Sequence, residues 1–231
     1  MKNFGTNTTK MINCYIITIH PDFVKIYSEF GVFKSAIQKQ IVNIQVINLR
    51  DFAIDKHGTI DDKPYGGGEG MVLRPEPLAN AIKSIKTNPY VILTSPHGEL
   101  WTNHKAQEFS KFIQNNNLYK AFVWICGRFS GIDQRFIDLY VHKQISIGEY
   151  IISGGELAAL VIIDSILRFV PEVLGKEESA HNDSFCKEFK GGLEYPLYTR
   201  PPIFEGQQVP QVLLSGNHNQ IKEWKTTNLI F

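Results

Sequence analysis

Apolar side chains recur along this chain in two alternating periods. Short β-branched or aromatic runs at residues 14–19, 44–48, 90–94 and 122–126 are bounded by polar or turn-forming residues, the signature of a buried strand. Between them the spacing lengthens to that of a helix: Phe23, Ile26, Tyr27, Phe30, Phe33 and Ile37 first, then Leu78, Ala81, Ile82 and Ile85, then Ala106, Phe109, Phe112 and Ile113. Strand and helix in alternation predict an α/β domain on a mostly parallel sheet.

The helix predicted over 156–169 is of another kind. Leu157, Leu160, Val161, Ile162, Ile163, Ile166, Leu167 and Phe169 cover nearly its whole circumference, so it has to be buried on most sides, in the middle of the domain or at a subunit interface. Past Pro171 the chain turns polar and charged, which predicts a linker over 172–189. Pro196, Pro201, Pro202 and Pro210 then punctuate short apolar runs, giving a small second domain over 190–231 with Trp224 in its core. Residues 1–10 are polar and read as a loose tail, leaving 11–171 as the main domain.

Composition narrows the classes. A chain of 231 residues can bury a core without disulfide or metal staples, and its 43% hydrophobic and 20% charged content argues against disorder. The most apolar stretch, 157–170, is broken by Asp164 and Arg168 and is shorter than the ~20 apolar residues of a membrane span. No membrane partner is expected. A net charge of +1 supplies no global attraction for nucleic acid. Cys14, Cys126 and Cys186 form no C-x-x-C pair, and without a recognisable signal peptide the expected compartment is the cytoplasm.

Chemistry is concentrated in loops. Residues 61–70 (DDKPYGGGEG) gather glycines where no regular element tolerates them, yet lack the Gly-Lys-Ser/Thr ending of a phosphate loop. CGRFSGID at 126–133 follows directly on a strand, the end where α/β proteins hold ligands. A third loop, ISIGEYIISGGE at 145–156, runs into the apolar helix, and TSPHG at 94–98 follows another strand. Each alone is compatible with a structural turn, but three loops can converge on one edge of the sheet.

Taken together, DDKPYGGGEGMVL at 61–73, residues 95–98, 127–133, SIGEYIISGGEL at 146–157, 183–185, YTRP at 198–201 and VLLSGNH at 212–218 resemble the tRNA (guanine-N1)-methyltransferase family called TrmD, a branch of the knotted SPOUT methyltransferases. The resemblance covers nearly the whole chain. It implies a SPOUT-like α/β fold with a deep C-terminal trefoil knot, a small mainly helical C-terminal domain that contacts tRNA, and a homodimer whose seam is the apolar helix. It also implies S-adenosylmethionine as methyl donor, magnesium as a candidate further requirement, and as acceptor N1 of the tRNA guanosine immediately 3′ of the anticodon.

By the same resemblance the cofactor contacts are Thr94, Ser95, Pro96, His97, Gly127, Ile147, Gly148, Glu149, Tyr150, Ile151, Ile152, Gly154 and Gly155. Asp183 is the general base and Arg168 the group that stabilises charge developing toward O6, while Asp61 and Gly70 contact tRNA. Two positions depart from the family pattern. Ser130 stands where the family usually has Glu, and Phe129 where it has Tyr, which removes a carboxylate beside the cofactor. The chain ends short of the family's usual helical C-terminus, so weaker tRNA docking is expected. Two other readings stay open: a tRNA-binding dimer that has lost catalysis, and a knotted methyltransferase with another RNA target.

Overall fold

The computed structural model describes residues 11–175, 183–186, 189 and 191–230; the expected tail 1–10 and part of the expected linker lie outside these described residues. The chain divides into two compact units, the first running past Pro171 to Gly175 and the second starting at Lys176. Val173, placed in the linker by its polar surroundings, is buried in the first unit's core.

The first unit opens with β1 (Ile12–Thr18), α1 (Pro21–Ser28), α2 (Gly31–Gln38) and β2 (Val42–Asn48). The apolar period from Phe23 to Ile37 predicts one helix and the structure has two, because the chain turns at Gly31, whose φ of +54° favours a residue without Cβ. Short antiparallel strands β3 (Asp61–Asp62) and β4 (Val72–Leu73) flank the first glycine-rich loop. There follow α3 (Pro75–Ser84), β5 (Pro89–Leu100), α4 (Asn103–Asn115), β6 (Ala121–Cys126), α5 (Gln134–Tyr140), β7 (Lys143–Ser146) and α6 (Gly155–Leu167).

Five strands form one sheet in the order β2-β1-β6-β5-β7, and every neighbouring pair is parallel, as the alternation of periods leads one to expect. Helices cover both faces, so the sheet feeds two cores. Along β6, Phe122, Trp124 and Cys126 pack with residues of α1, α2, α4 and α6, while Val123 and Ile125 point the other way toward α3 and α5. A strand buried on both sides reads as the continuous run AFVWIC.

At the β7 edge the register shifts. Thr94 and Glu99 both pair with Ile145, so the chain from Ser95 to Gly98 bulges out of β5 and rejoins it beside β7. A Cβ on Gly98 would strike the backbone of Gln144 and Ile145. Glu99 fastens this return, with Lys105 Nζ at 2.7 Å and Lys143 Nζ at 2.8 Å. Those hydrogen bonds lower its carboxyl to about 2. A depressed carboxyl contributes stability fully above its unfolded value, near ~4.3, and the contribution is lost as pH falls toward the folded one. Glu99→Gln should therefore flatten the acid limb of thermal unfolding between those two values; the shift is small because the pair is exposed, and an unchanged limb refutes the tie.

The second unit holds a short hairpin of β8 (Ile203–Phe204) and β9 (Gln207–Gln208), a four-residue α7 (Gln211–Leu214) and α8 (His218–Thr227). Trp224 is half-buried instead of fully enclosed, its ring edge-on to Tyr195 and Tyr198 with centroids 6.2 Å away. No helix among the described residues is long and apolar enough to cross a membrane.

Candidate active site

Adjacent strands β6, β5 and β7 release their loops at the same carboxyl edge, and those loops enclose a cavity of about 600 Å³. Its wall contains Thr94 to His97 after the buried part of β5, Gly127 to Ile132 after β6, and Ser146 to Gly155 after β7 with the exception of Glu149. Leu93, Ile132, Ile137, Ile145 and Ala158 supply apolar surface. The convergence expected from three separate glycine-bearing segments is what the structure places on one edge.

Hydrogen bonds stitch the loops together. Gly155 N–H donates to Gly127 O at 2.8 Å, and Trp101 N–H to Ser146 O at 2.8 Å. Thr94 is buried, its hydroxyl 3.1 Å from Ile125 O and 3.3 Å from Gly155 O, so this side chain ties β6 to the start of α6. The missing Cβ of Gly155 is what allows that approach: a methyl there would lie 2.7 Å from Gly127 N and 2.9 Å from Cys126 Cα. Ser130 holds the first glycine-rich loop, donating from its backbone to Met71 O at 2.8 Å and from its hydroxyl to Glu69 O at 3.1 Å. The side chain at 130 is thus a latch on that loop.

Other expected site residues fall elsewhere. Glu149 is exposed and lines a separate recess with Pro96, Gly98 and Leu100. Asp61 lies in β3, paired with Leu73, and Gly70 packs against Ser130 with φ +86°; neither lines the cavity. Arg168 caps the C-terminus of α6, its N–H donating to Asp164 O at 3.2 Å. Burial pushes the Asp164 carboxyl up, opposed by a hydrogen bond from Tyr27 and by the Arg168 charge. Asp183 belongs to the second unit, where its carbonyl accepts from Cys186 N–H at 3.2 Å.

The sequence reading missed Glu156 and Thr18. Glu156 is 5% exposed at the first turn of α6, accepting from the Thr18 hydroxyl at 2.8 Å and facing Arg128 Nη1 at 3.9 Å. An apolar helix that opens on a lone acid was the available signal; nothing in the chain links it to a threonine 138 residues earlier. Cys126 also borders this network. Burial first, and Glu156 second, raise its thiol well above the usual range, so it stays protonated and is no nucleophile.

The family model described as tRNA (Guanine-1)-methyltransferase TrmD matches residues 12–230. The chain belongs to the TrmD family. Among its relatives, a tRNA (guanine-N(1)-)-methyltransferase of Sulfurihydrogenibium sp. is 48% identical over 214 residues, covering 91% of this chain and 80% of the relative. Proteins of the same name from Dictyoglomus turgidum and Clostridioides difficile are 46% and 44% identical, covering 93% and 91% of this chain and 84% and 89% of their own. The TrmD match spans both compact units.

Proposed function

We propose that this chain transfers a methyl group from S-adenosylmethionine to N1 of tRNA guanosine, at the position immediately 3′ of the anticodon. TrmD membership gives the reaction, and the observation that carries the site is the cavity formed where the loops after β5, β6 and β7 meet.

The residues present fit the methyl donor. Apolar walls from Leu93, Ile132, Ile145, Ile147 and Ile152 suit an adenine ring, whose edge the amides of the 147–152 loop can meet. Gly127 and Gly155 are both in the lining, and their missing side chains let the loop after β6 meet β5 and the start of α6 closely, which brings the walls together. The lining has no Asp or Glu side chain, and among the described residues no group of three or more His, Cys, Asp or Glu is placed to hold a metal. Those residues therefore do not fit a protein-held magnesium ion.

S-adenosylmethionine supplies, when bound, an electrophilic methyl on a sulfonium. The protein's work is on the acceptor. Guanine N1 carries a proton that must leave as the new N–CH3 bond forms, and Asp183 takes it while the Arg168 guanidinium stabilises the charge that develops toward O6. Glu149 serves the cavity from its outer side, and Asp61 and Gly70 contact tRNA through the latched loop. In domain terms, the first unit, up to Gly175, holds the donor, and the second, from Lys176, carries Asp183 and contacts tRNA. Membership of the TrmD family is the ground for reading the chain as knotted.

A homodimer accounts for an anomaly in α6. This helix, expected to be buried on most sides, leaves Leu157 and Val161 about half exposed one turn apart. On α1, joined to it by Tyr27 Oη to Asp164 at 3.3 Å, Phe23 and Ile26 are also exposed, as is Phe30 just before α2. A second copy would cover this apolar face. Val161→Glu should convert a dimer to monomer in sedimentation equilibrium, and a wild-type monomer at micromolar concentration counts against the assembly.

The proposed reaction is tested by mapping methyl groups by mass spectrometry on tRNA treated with the purified protein and S-adenosylmethionine. One N1-methylguanosine beside the anticodon is expected. Methylation that persists when that guanosine is replaced points to another RNA target, and none on any tRNA to a binding protein without catalysis.

A further inference from the structure

Arg128 is the one Lys, Arg, Asp or Glu among the residues that line the cavity. Its side chain is mostly buried, and its Nε is enclosed with no hydrogen-bond partner among the described residues. The ion pair it makes, Nη1 to Glu156 Oε2 at 3.9 Å, is longer than a direct hydrogen bond. A guanidinium at the wall of a binding cavity, partly exposed there and held by its own carboxylate only at ion-pair distance, is a site for an acceptor, best a carboxylate that takes two N–H groups at once.

Its surroundings hold it there. Glu156 sits behind Arg128 and is itself fixed by the Thr18 hydroxyl from the end of β1. Gly154 leaves the room the pair occupies, since a Cβ would meet Arg128 Nη1 and Cδ and Glu156 Oε2. Glu156 also compensates the arginine's charge, so that a cationic sulfonium in the same cavity is not opposed by an unbalanced positive group.

We propose that Arg128 binds the carboxylate of the methyl donor's methionine tail, with Glu156 and Thr18 as its positioning residues. This rests on the reading of the cavity as the S-adenosylmethionine site. That ligand carries two positive centres and one anionic group, and the lining offers one permanently charged side chain, of the matching sign.

The test compares S-adenosylmethionine with its decarboxylated analogue, which keeps the sulfonium and the amine, by isothermal titration of the full chain. Wild type should bind the carboxylate form about 10-fold or more tighter, a typical gain for a charge-assisted contact. Arg128→Gln should bring that ratio close to one by weakening only S-adenosylmethionine, its unchanged affinity for the analogue showing an intact cavity. Equal binding of both ligands by wild type, or equal weakening of both in Arg128→Gln, overturns the assignment. Should that variant bind neither, Arg128→Lys decides: an intermediate ratio supports the assignment and an unchanged ratio overturns it. Wild type that binds neither ligand sinks the methyl-donor reading itself, and this proposal with it.

Discussion

Asp183→Ala is expected to lower the single-turnover rate of tRNA methylation by about three orders of magnitude, in the range general acid–base catalysis contributes, and to leave S-adenosylmethionine affinity within about twofold. The two halves of that expectation have separate structural reasons. The cavity wall is built wholly from the first compact unit, by loops between Thr94 and Gly155, and Asp183 is part of the second. Asp183 is not among the residues that line the cavity, so removing its carboxylate deletes none of that lining. The rate falls because N1 keeps its proton: its lone pair becomes available to the methyl carbon only as that proton departs. Asp183→Asn is the stricter variant, preserving size and hydrogen bonding while removing basicity, and should fall as far. Turnover retained in Asp183→Asn would take the residue out of the mechanism. Loss of donor binding in either variant would show that it shapes the cavity.

The same division decides what could be read from the chain alone. Buried parallel strands have no alternation to obscure, so AFVWIC and its counterparts stand out as apolar runs, and the helices over α3 and α4 follow from one-sided spacing. β7 did not stand out. Its four residues, Lys143–Ser146, include three polar ones, and what makes them a strand is the neighbour β5, which supplies partners on both sides of a bulge. α5 is short for a helix, at seven residues, and its start is marked by Asp133, whose side chain accepts from Arg135 N–H, a cap easily taken for loop chemistry. At the site, glycine spacing identified the loops because close backbone approach leaves a compositional trace. The Thr18–Glu156–Arg128 network left none: it joins the ends of β1, β6 and the start of α6, and only the strand order puts them side by side.

The second large effect is expected at Gly155. An added methyl there meets Thr94 Oγ1 and two backbone atoms, Gly127 N at 2.7 Å and Cys126 Cα at 2.9 Å, and backbone at the end of a central strand cannot swing aside as a side-chain tip can. Relief requires α6 to withdraw from β6, which breaks the Gly155 N–H to Gly127 O bond and pulls apart two walls of the cavity. Overpacking of this kind costs about 1–3 kcal/mol, and the lost hydrogen bond adds about 1 more. Gly155→Ala should therefore weaken S-adenosylmethionine binding by roughly 100-fold or more and lower the melting temperature by several degrees. Gly154→Ala is the informative neighbour. The three atoms nearest its Cβ belong to the side chains of Arg128 and Glu156 and not to backbone, so the fold should survive with a smaller loss of affinity. Gly67→Ala, with open space around it and φ +81°, should show only the ~1–2 kcal/mol strain of a left-handed residue and no change in donor binding. Isothermal titration and calorimetry on the three variants measure both quantities. If Gly155→Ala and Gly67→Ala bind the donor equally well, the junction of α6 with the β6 loop is not the wall of its site.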